Sequence, residues 1–197
     1  MNLICSILLA ATIAIEHNPA SFSCAANDTA AKATVSLIAG TLDRNSAPLA
    51  VLTDGALPTE EDQPSANVFF AADTWGGRIR LDFATPIDIA SIHTYSRHPD
   101  TRGPQLYKVY GSIDPRDPAP SSKLDPESVG WTLIAFVDTR ANEGGAHVVH
   151  LSEVGRYRYL LFDVFETESD DAYGNTFYSE FDVNESRSAA TPVAALE

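Results

Sequence analysis

One short segment of this chain, together with residues on other connections, contains the side chains best suited to bind a polar ligand. The run Arg97-His98-Pro99-Asp100-Thr101-Arg102 places two guanidinium groups, an imidazole and a carboxylate close together, and further aromatic and amide side chains lie on other connections. Such polar groups hydrogen-bond sugar hydroxyls, and aromatic rings stack on the apolar C–H faces of sugars. A carbohydrate-binding surface is therefore predicted at Arg97, His98, Arg102, Tyr173, Asn175 and Trp75. A packing or solvation role is the alternative for each residue.

Catalytic chemistry is not predicted. Glu166, Glu168, Asp170 and Asp171 are dense enough to supply the pair of carboxylates that a glycosidase needs, but they lie on one predicted loop, where charge runs usually face solvent. The chain has no Gly-x-Ser-x-Gly elbow for a serine nucleophile. We therefore predict that the protein is not an enzyme.

The N-terminus resembles an export signal. Residues Met1 to Ile15 are nearly all apolar, too few to span a bilayer comfortably, and the small residues Ser23 to Ala26 follow as a cleavage region. The usual positive segment is missing, because the first basic residue is Lys32, so a retained membrane anchor is the alternative. We predict a signal peptide over residues 1–26, a secreted, periplasmic or cell-surface location, and a mature chain without a membrane span.

Cysteine content and charge restrict the function further. Both cysteines, Cys5 and Cys24, fall in or beside the predicted leader, so a chain cleaved after Cys24 would have neither disulfides nor cysteine-ligated zinc. The net charge is -14 at pH 7 with a sequence pI near 4.6, and such a surface repels phosphate backbones. Nucleic acid is therefore not an expected partner.

The segments that flank the candidate binding residues are predicted to be strands. Residues Arg78 to Phe83 alternate strictly, with Ile79, Leu81 and Phe83 on one face, and Pro86 is expected to end this strand. No window has a sustained helical period. These patterns predict an all-β, antiparallel β-sandwich over residues 30–185, followed by a disordered tail at 186–197. Further strands are predicted at 33–38, 87–96, 106–112, 131–139, 147–151, 156–165 and 179–183.

Seven short motifs follow one another along the chain: Leu52-Thr53-Asp54-Gly55, Gly77 to Phe83, Ile89 to Ile92, Tyr107 to Ser112, Trp131 to Ala135, Arg156 to Tyr159 and Ser179 to Val183. In this order they resemble the motifs of the galactose-binding-like, or discoidin (coagulation factor V/VIII type C), domain family. The resemblance covers roughly Leu52 to Val183 and implies a jelly-roll sandwich. The chain lacks the cysteine pair that ties the ends of many discoidin domains.

The resemblance also implies a structural calcium ion between an early loop and the last strand. Its ligands would be Asp54, Thr59 and Glu180, since calcium takes six to eight oxygen ligands. The alternative is that Asp54 only forms a turn and that Glu180 pairs with Arg156 or Arg158.

The expected function is non-catalytic recognition outside the cell, by a carbohydrate-binding or adhesion module whose partner is a glycan or another cell-surface ligand. A structural or protein-interaction domain of the cell surface, with no sugar ligand, is the alternative. The two stay open because the fold hosts several functions.

Overall fold

The computed structural model describes residues 11–114, 124–167 and 175–186, and its strands pair only in antiparallel fashion. Within these ranges the only helical elements are single 3₁₀ turns, at Ala30–Lys32, Leu49–Thr53, Pro64–Ala66 and Pro126–Val129. The all-β prediction is therefore confirmed. The strands are β1 (Thr12–His17), β2 (Thr34–Ala39), β3 (Gly76–His98), β4 (Leu106–Ser112), β5 (Thr132–Asp138), β6 (Gly145–Phe165) and β7 (Tyr178–Glu185).

Two long strands, β3 and β6, each cross from one layer of the molecule to the other. Their mutual pairing is interrupted between Asp82 and Ile87, and the bends contain Ala84 (φ 64°) and Glu153 (φ 60°), both in the left-handed region. The first half of β3 and the second half of β6 form one layer with β2, β4 and β5. Their other halves form the second layer with β1 and β7. The result is the predicted sandwich.

The core lies between the two layers and is rich in aromatic rings. Phe162 of the first layer stacks on Phe181 of the second with ring centroids 4.3 Å apart, and Tyr107 contacts both Phe162 and Tyr178. All four side chains are essentially fully buried. Interdigitated rings of this kind hold the layers in register, so the loops at the ends of the strands have a rigid base.

The structure corrects two predicted strand boundaries. Pro86 does not end a strand: β3 continues through it, because the proline falls in the stretch where β3 makes no ladder pairs and its missing N–H costs nothing. The two segments predicted at 147–151 and 156–165 are one strand, β6, which bends at Glu153.

The N-terminal segment forms a strand where a leader peptide was predicted. Strand β1 pairs with β6 from Thr12 opposite Ser152 to His17 opposite His147. Cleavage of residues 1–26 stays a prediction, and residues 1–10 and the tail beyond 186 lie outside the described residues. Among the residues described, none belongs to a helix that could cross a bilayer.

Candidate functional site

Three connections meet at one end of the sandwich: those before β3, after β3 and before β7. Asn175 Nδ2 donates to the carbonyl of Ala71 (3.1 Å), and Thr167 Oγ1 donates to the carbonyl of Thr101 (3.1 Å). These hydrogen bonds tie the connections to one another across long sequence separations. The described residues of the predicted carbohydrate surface therefore share one end of the molecule.

The connection before β3 also supplies carboxylates to the two basic residues that end β3. Arg97 Nη2 lies 4.0 Å from Glu61 Oε1, and His98 Nε2 lies 3.8 Å from Asp62 Oδ1. Both carboxylates are more than half exposed, at 58% and 56%. Since neither contact is short enough for a hydrogen bond, the exposed carboxylates of Glu61 and Asp62 keep capacity for a ligand.

Phe177 forms the floor beneath two of the predicted residues. The Arg102 guanidinium carbon lies 4.6 Å from the centroid of its ring, and the His98 ring meets it edge-on at 5.0 Å. Phe177 is fully buried, whereas Arg102 is only half-buried. The cation–π contact therefore holds the Arg102 side chain in place while part of it reaches solvent.

His98 and Asn175 present one unused donor and one unused acceptor. His98 Nδ1 accepts from the backbone N–H of Asp100 (3.0 Å), and burial lowers the pKa of His98, so the neutral ring carries its proton on Nε2. Among the described residues, neither His98 Nε2 nor Asn175 Oδ1 has a hydrogen-bond partner. Both atoms are buried, as are the two side chains at 2% exposure each, so a polar ligand at this end meets the exposed groups instead: Arg97 and the carboxylates of Glu61 and Asp62.

Trp75 lies at the same end but is packed. Its ring is half-buried, with the Phe165 ring 6.4 Å away and the Arg78 guanidinium carbon 5.9 Å from its centroid. Its backbone carbonyl accepts from the N–H of Glu166. Tyr173 lies outside the described residues. The role of either ring as a sugar platform stays a prediction.

A second group of polar residues, all acidic, lies where β7 meets the N-terminal segment. Glu180 and Asp182 are on the same face of β7 and are both fully buried. Asp28 joins them, and one carboxylate oxygen from each of the three lies within 4.8 Å of the others. This acidic cluster, Asp28, Glu180 and Asp182, could hold a metal ion.

Backbone and side-chain donors use only part of the cluster's hydrogen-bonding capacity. Gly55 N–H donates to Glu180 Oε2 (3.0 Å), and the Tyr95 hydroxyl donates to Asp182 Oδ2 (2.8 Å). Glu180 Oε1 and Asp182 Oδ1 are buried without a partner among the described residues. Two unpaired buried carboxylate oxygens are costly unless a cation or a proton joins them.

The pKa values of the cluster also indicate that its ionised carboxylates lack a stabilising partner. Burial, followed by the charge of Asp182, raises the pKa of Glu180 to about 8, and burial also raises the pKa of Asp182. Burial together with these acids raises the pKa of the nearby Cys24 thiol to about 12, so this cysteine is not a reactive thiolate at neutral pH. A cation at the cluster would stabilise the ionised carboxylates.

The other two predicted calcium ligands lie outside this cluster. Asp54 is exposed and accepts from the N–H of Ala56 (2.9 Å), as expected of a turn residue, while Thr59 donates through its N–H and hydroxyl to Gln63 Oε1 (2.9 and 3.3 Å). The proposed pairing of Glu180 with an arginine is wrong. Arg156 pairs with Asp88 at 2.7 Å, and Arg158 pairs with Asp82 at 2.9 Å.

Several solved structures are similar to this chain in overall fold. A fucolectin from the serum of striped bass (Morone saxatilis) matches with a TM-score of 0.55, at 14% identity over 81% of this chain and 48% of the lectin. CpGH89CBM32-6 from Clostridium perfringens gives 0.50, at 18% identity over 81% of this chain and 100% of that one. The family 32 carbohydrate-binding module of C. perfringens NanJ, in complex with galactose, gives 0.50, at 12% identity over 79% and 95%.

The chain has the galactose-binding-like, or discoidin-type, fold.

This confirms the resemblance seen in the seven sequence motifs. At identities of 12% to 18% the similarity establishes the fold alone, and no protein-family model and no curated protein matches the sequence. The structures that share the galactose-binding-like fold include non-catalytic carbohydrate-binding modules and enzyme chains that carry such modules.

Four residues of these two sites in the galactose-binding-like domain were not predicted from the sequence. Asp182 had a usable signal, because it follows Glu180 by two residues in a strand and must share its face. Asp28 reaches the cluster only through tertiary structure, as Val183 N–H donates to its Oδ1 (2.8 Å). Glu61 and Asp62 lie in a loop whose path no local pattern reveals.

Proposed function

We propose that this protein is a non-catalytic carbohydrate-binding module whose ligand binds at the loop end around Arg97, His98 and Arg102. The observation that carries this proposal is the set of charged groups exposed there: the Arg97 guanidinium 4.0 Å from the Glu61 carboxylate, and the half-buried Arg102 held over the Phe177 ring. Support comes from the fold, which is shared with a fucolectin and with a module solved in complex with galactose.

The chemistry of this end suits a polyhydroxylated ligand. Each sugar hydroxyl donates one hydrogen bond and accepts others, so a binding site needs donors and acceptors side by side. The guanidinium groups of Arg97 and Arg102 donate, whereas the carboxylates of Glu61 and Asp62 accept. Charged partners make such hydrogen bonds stronger than neutral ones, which favours specific orientation of the ligand. Adhesion to glycans outside the cell, after export, is the setting we propose for this activity.

We also propose that the acidic cluster binds a structural calcium ion. Its protein donors are all carboxylate oxygens, the type that calcium prefers over the nitrogen and sulfur ligands of transition metals. The ion would join the last strand to the N-terminal segment through Asp28, beside the loop whose Gly55 N–H binds Glu180. Its role would be to stabilise the domain, away from the ligand.

The carbohydrate proposal predicts loss of glycan binding in two arginine variants. We expect Arg97→Ala and Arg102→Ala each to weaken binding at least about tenfold, because each removes a charged donor to the ligand. A glycan array identifies the ligand, and titration calorimetry on the best glycan measures the loss.

A third arginine provides the matched control for this experiment. Arg156 is exposed and pairs with Asp88, which lies nine residues before Arg97 on β3, or about 30 Å away along an extended strand. Arg156→Ala should bind glycan like the unmodified protein. An array without signal across plant, algal, bacterial and animal glycans contradicts the proposal, as does equal loss of binding in all three variants.

A further inference from the structure

Two histidines face each other on the side of the second layer that points away from the core. His93 of β3 and His150 of β6 are directly opposite in the antiparallel ladder, and their ring centroids are 4.5 Å apart at an interplanar angle of 70°. Their neighbours Ile92, Val149 and Leu151 point the other way, into the core. The pair therefore lies on the outer face of this layer, beside residues of the N-terminal segment.

The N-terminal segment adds a carboxylate to this pair. Glu16 Oε1, from β1, lies 3.0 Å from His150 Nε2. Between the segment and the sheet is an open cavity of about 210 Å³ lined by these three residues, Tyr95 and the hydroxyl-bearing Ser21 and Ser23. The site is thus polar, accessible and large enough for an ion with bound water.

We propose that, in the chain that keeps residues 1–26, His93, His150 and Glu16 bind a divalent transition-metal ion of the class that prefers imidazole, with zinc as the representative. Two imidazole nitrogens and one carboxylate oxygen are a recurrent protein ligand set for zinc, and the cavity leaves the fourth position for water. Residues directly opposite on antiparallel strands have Cβ atoms about 5 Å apart, close enough for both rings to reach one ion.

The tautomer of His93 fits this role. The single proton of the Tyr95 hydroxyl is donated to Asp182, so the Tyr95 oxygen, 3.5 Å from His93 Nδ1, can only accept from that nitrogen. The proton of the neutral ring then lies on Nδ1, and Nε2 has a free lone pair.

The histidine site differs from the acidic cluster in the type of its ligand atoms and in how close together they lie. Among the described residues, the acidic cluster is the group in which all three ligand atoms lie within 4.8 Å. At the histidine site Glu16 and His150 are already in contact, and a side-chain rotation of His93 completes the set. Calcium should therefore select the first site and zinc the second.

Zinc titration of the full-length protein, without an affinity tag, tests this proposal. Calcium is kept in excess so that the acidic cluster is occupied, and zinc binding is followed by calorimetry and by the thermal unfolding midpoint. We expect one zinc ion per chain and a rise in the midpoint, because the ion binds the folded state. Cobalt substitution should add the visible absorption of a site with nitrogen and oxygen ligands.

Three single variants and one control decide the outcome. His93→Gln, His150→Gln and Glu16→Gln should each weaken zinc binding at least about tenfold, while keeping the calcium-dependent stability that reports a folded domain. His17→Ala is the matched control: it is next to Glu16 on β1, but its Nε2 is already paired with the carbonyl of Gly144 at 3.0 Å. Zinc binding that survives in any of the three variants, or is absent from the unmodified protein, overturns the proposal.

Discussion

Calcium at about 1,000 times its dissociation constant is expected to raise the free energy of unfolding of the chelator-treated protein by about 4 kcal/mol. The physical reason is the pair of buried carboxylate oxygens, Glu180 Oε1 and Asp182 Oδ1, that have no partner among the described residues. An ion that binds them in the folded state has no comparable site in the unfolded chain. Denaturant unfolding with calcium or with a chelator measures the difference.

The calcium-free protein should lose stability as pH rises. Burial, together with the charge of Asp182, raises the pKa of Glu180 in the folded state to about 8, above the ordinary value of 4.5 expected for the unfolded chain. Between these two values the folded state binds more protons, so stability falls with increasing pH across that window. Calcium needs the ionised carboxylates, so its affinity should increase over the same range.

A single amide substitution separates the two effects. Glu180→Gln removes the buried charge, so we expect it to flatten this pH dependence of the calcium-free protein and to abolish most of the calcium response. Glu185→Gln, on the exposed end of β7, is the control and should change neither. A calcium response of equal size in Glu180→Gln would show that calcium binds elsewhere.

Most of the strands were predictable because the signal for a half-buried strand is local. The alternation of Ile79, Leu81 and Phe83, and the apolar run in the second half of β6, are readable without any knowledge of the partner strand. Strand β1 was not predicted, because a short apolar segment at an N-terminus satisfies the pattern of a leader and that of a strand equally well. Its pairing with β6 reveals the strand, and cleavage of residues 1–26 as a leader stays a prediction.

The same limit applies to the two sites. Arg97, His98 and Arg102 were recognisable by type, but their neighbours Asp62 and Phe177 are distant in sequence, and only the folded chain brings them together. The motif around Asp54 drew attention to the correct last strand through Glu180. It did not reveal Asp28, because this residue is 155 positions away in sequence from Val183, whose N–H donates to it.

Arg78 shows the same limit within a correctly predicted strand. Alternation placed it on the face opposite Ile79, where a charged residue would normally meet solvent. Instead its side chain is only 2% exposed, and its Nε donates to Asp163 Oδ1 at 2.9 Å. Arg78 Nη2 also donates to Asp163 Oδ2 (3.3 Å) and to the carbonyl of Leu124 (2.8 Å), so the guanidinium is bonded on two sides.

Asp163→Ala is expected to lower the free energy of unfolding by about 3–5 kcal/mol, because it removes a buried carboxylate that accepts two hydrogen bonds from a buried guanidinium. Asp88→Ala is the matched control. It breaks the Arg156 pair, whose side chains are 59% and 60% exposed, and should cost less than about 1 kcal/mol. Urea unfolding at neutral pH compares the two variants at constant calcium.

A double replacement distinguishes a stabilising ion pair from one that is merely costly to break. Arg78→Met combined with Asp163→Leu removes both charges while keeping apolar volume, and such exchanges are often neutral or stabilising. Recovery of stability relative to Asp163→Ala would show that the loss came from the buried charge of Arg78 after its bonds to Asp163 are removed. Because the Arg78 guanidinium also lies against the Trp75 ring, the double variant would then reveal whether this pair fixes the loop before β3. Weaker glycan binding at restored stability is the expected result.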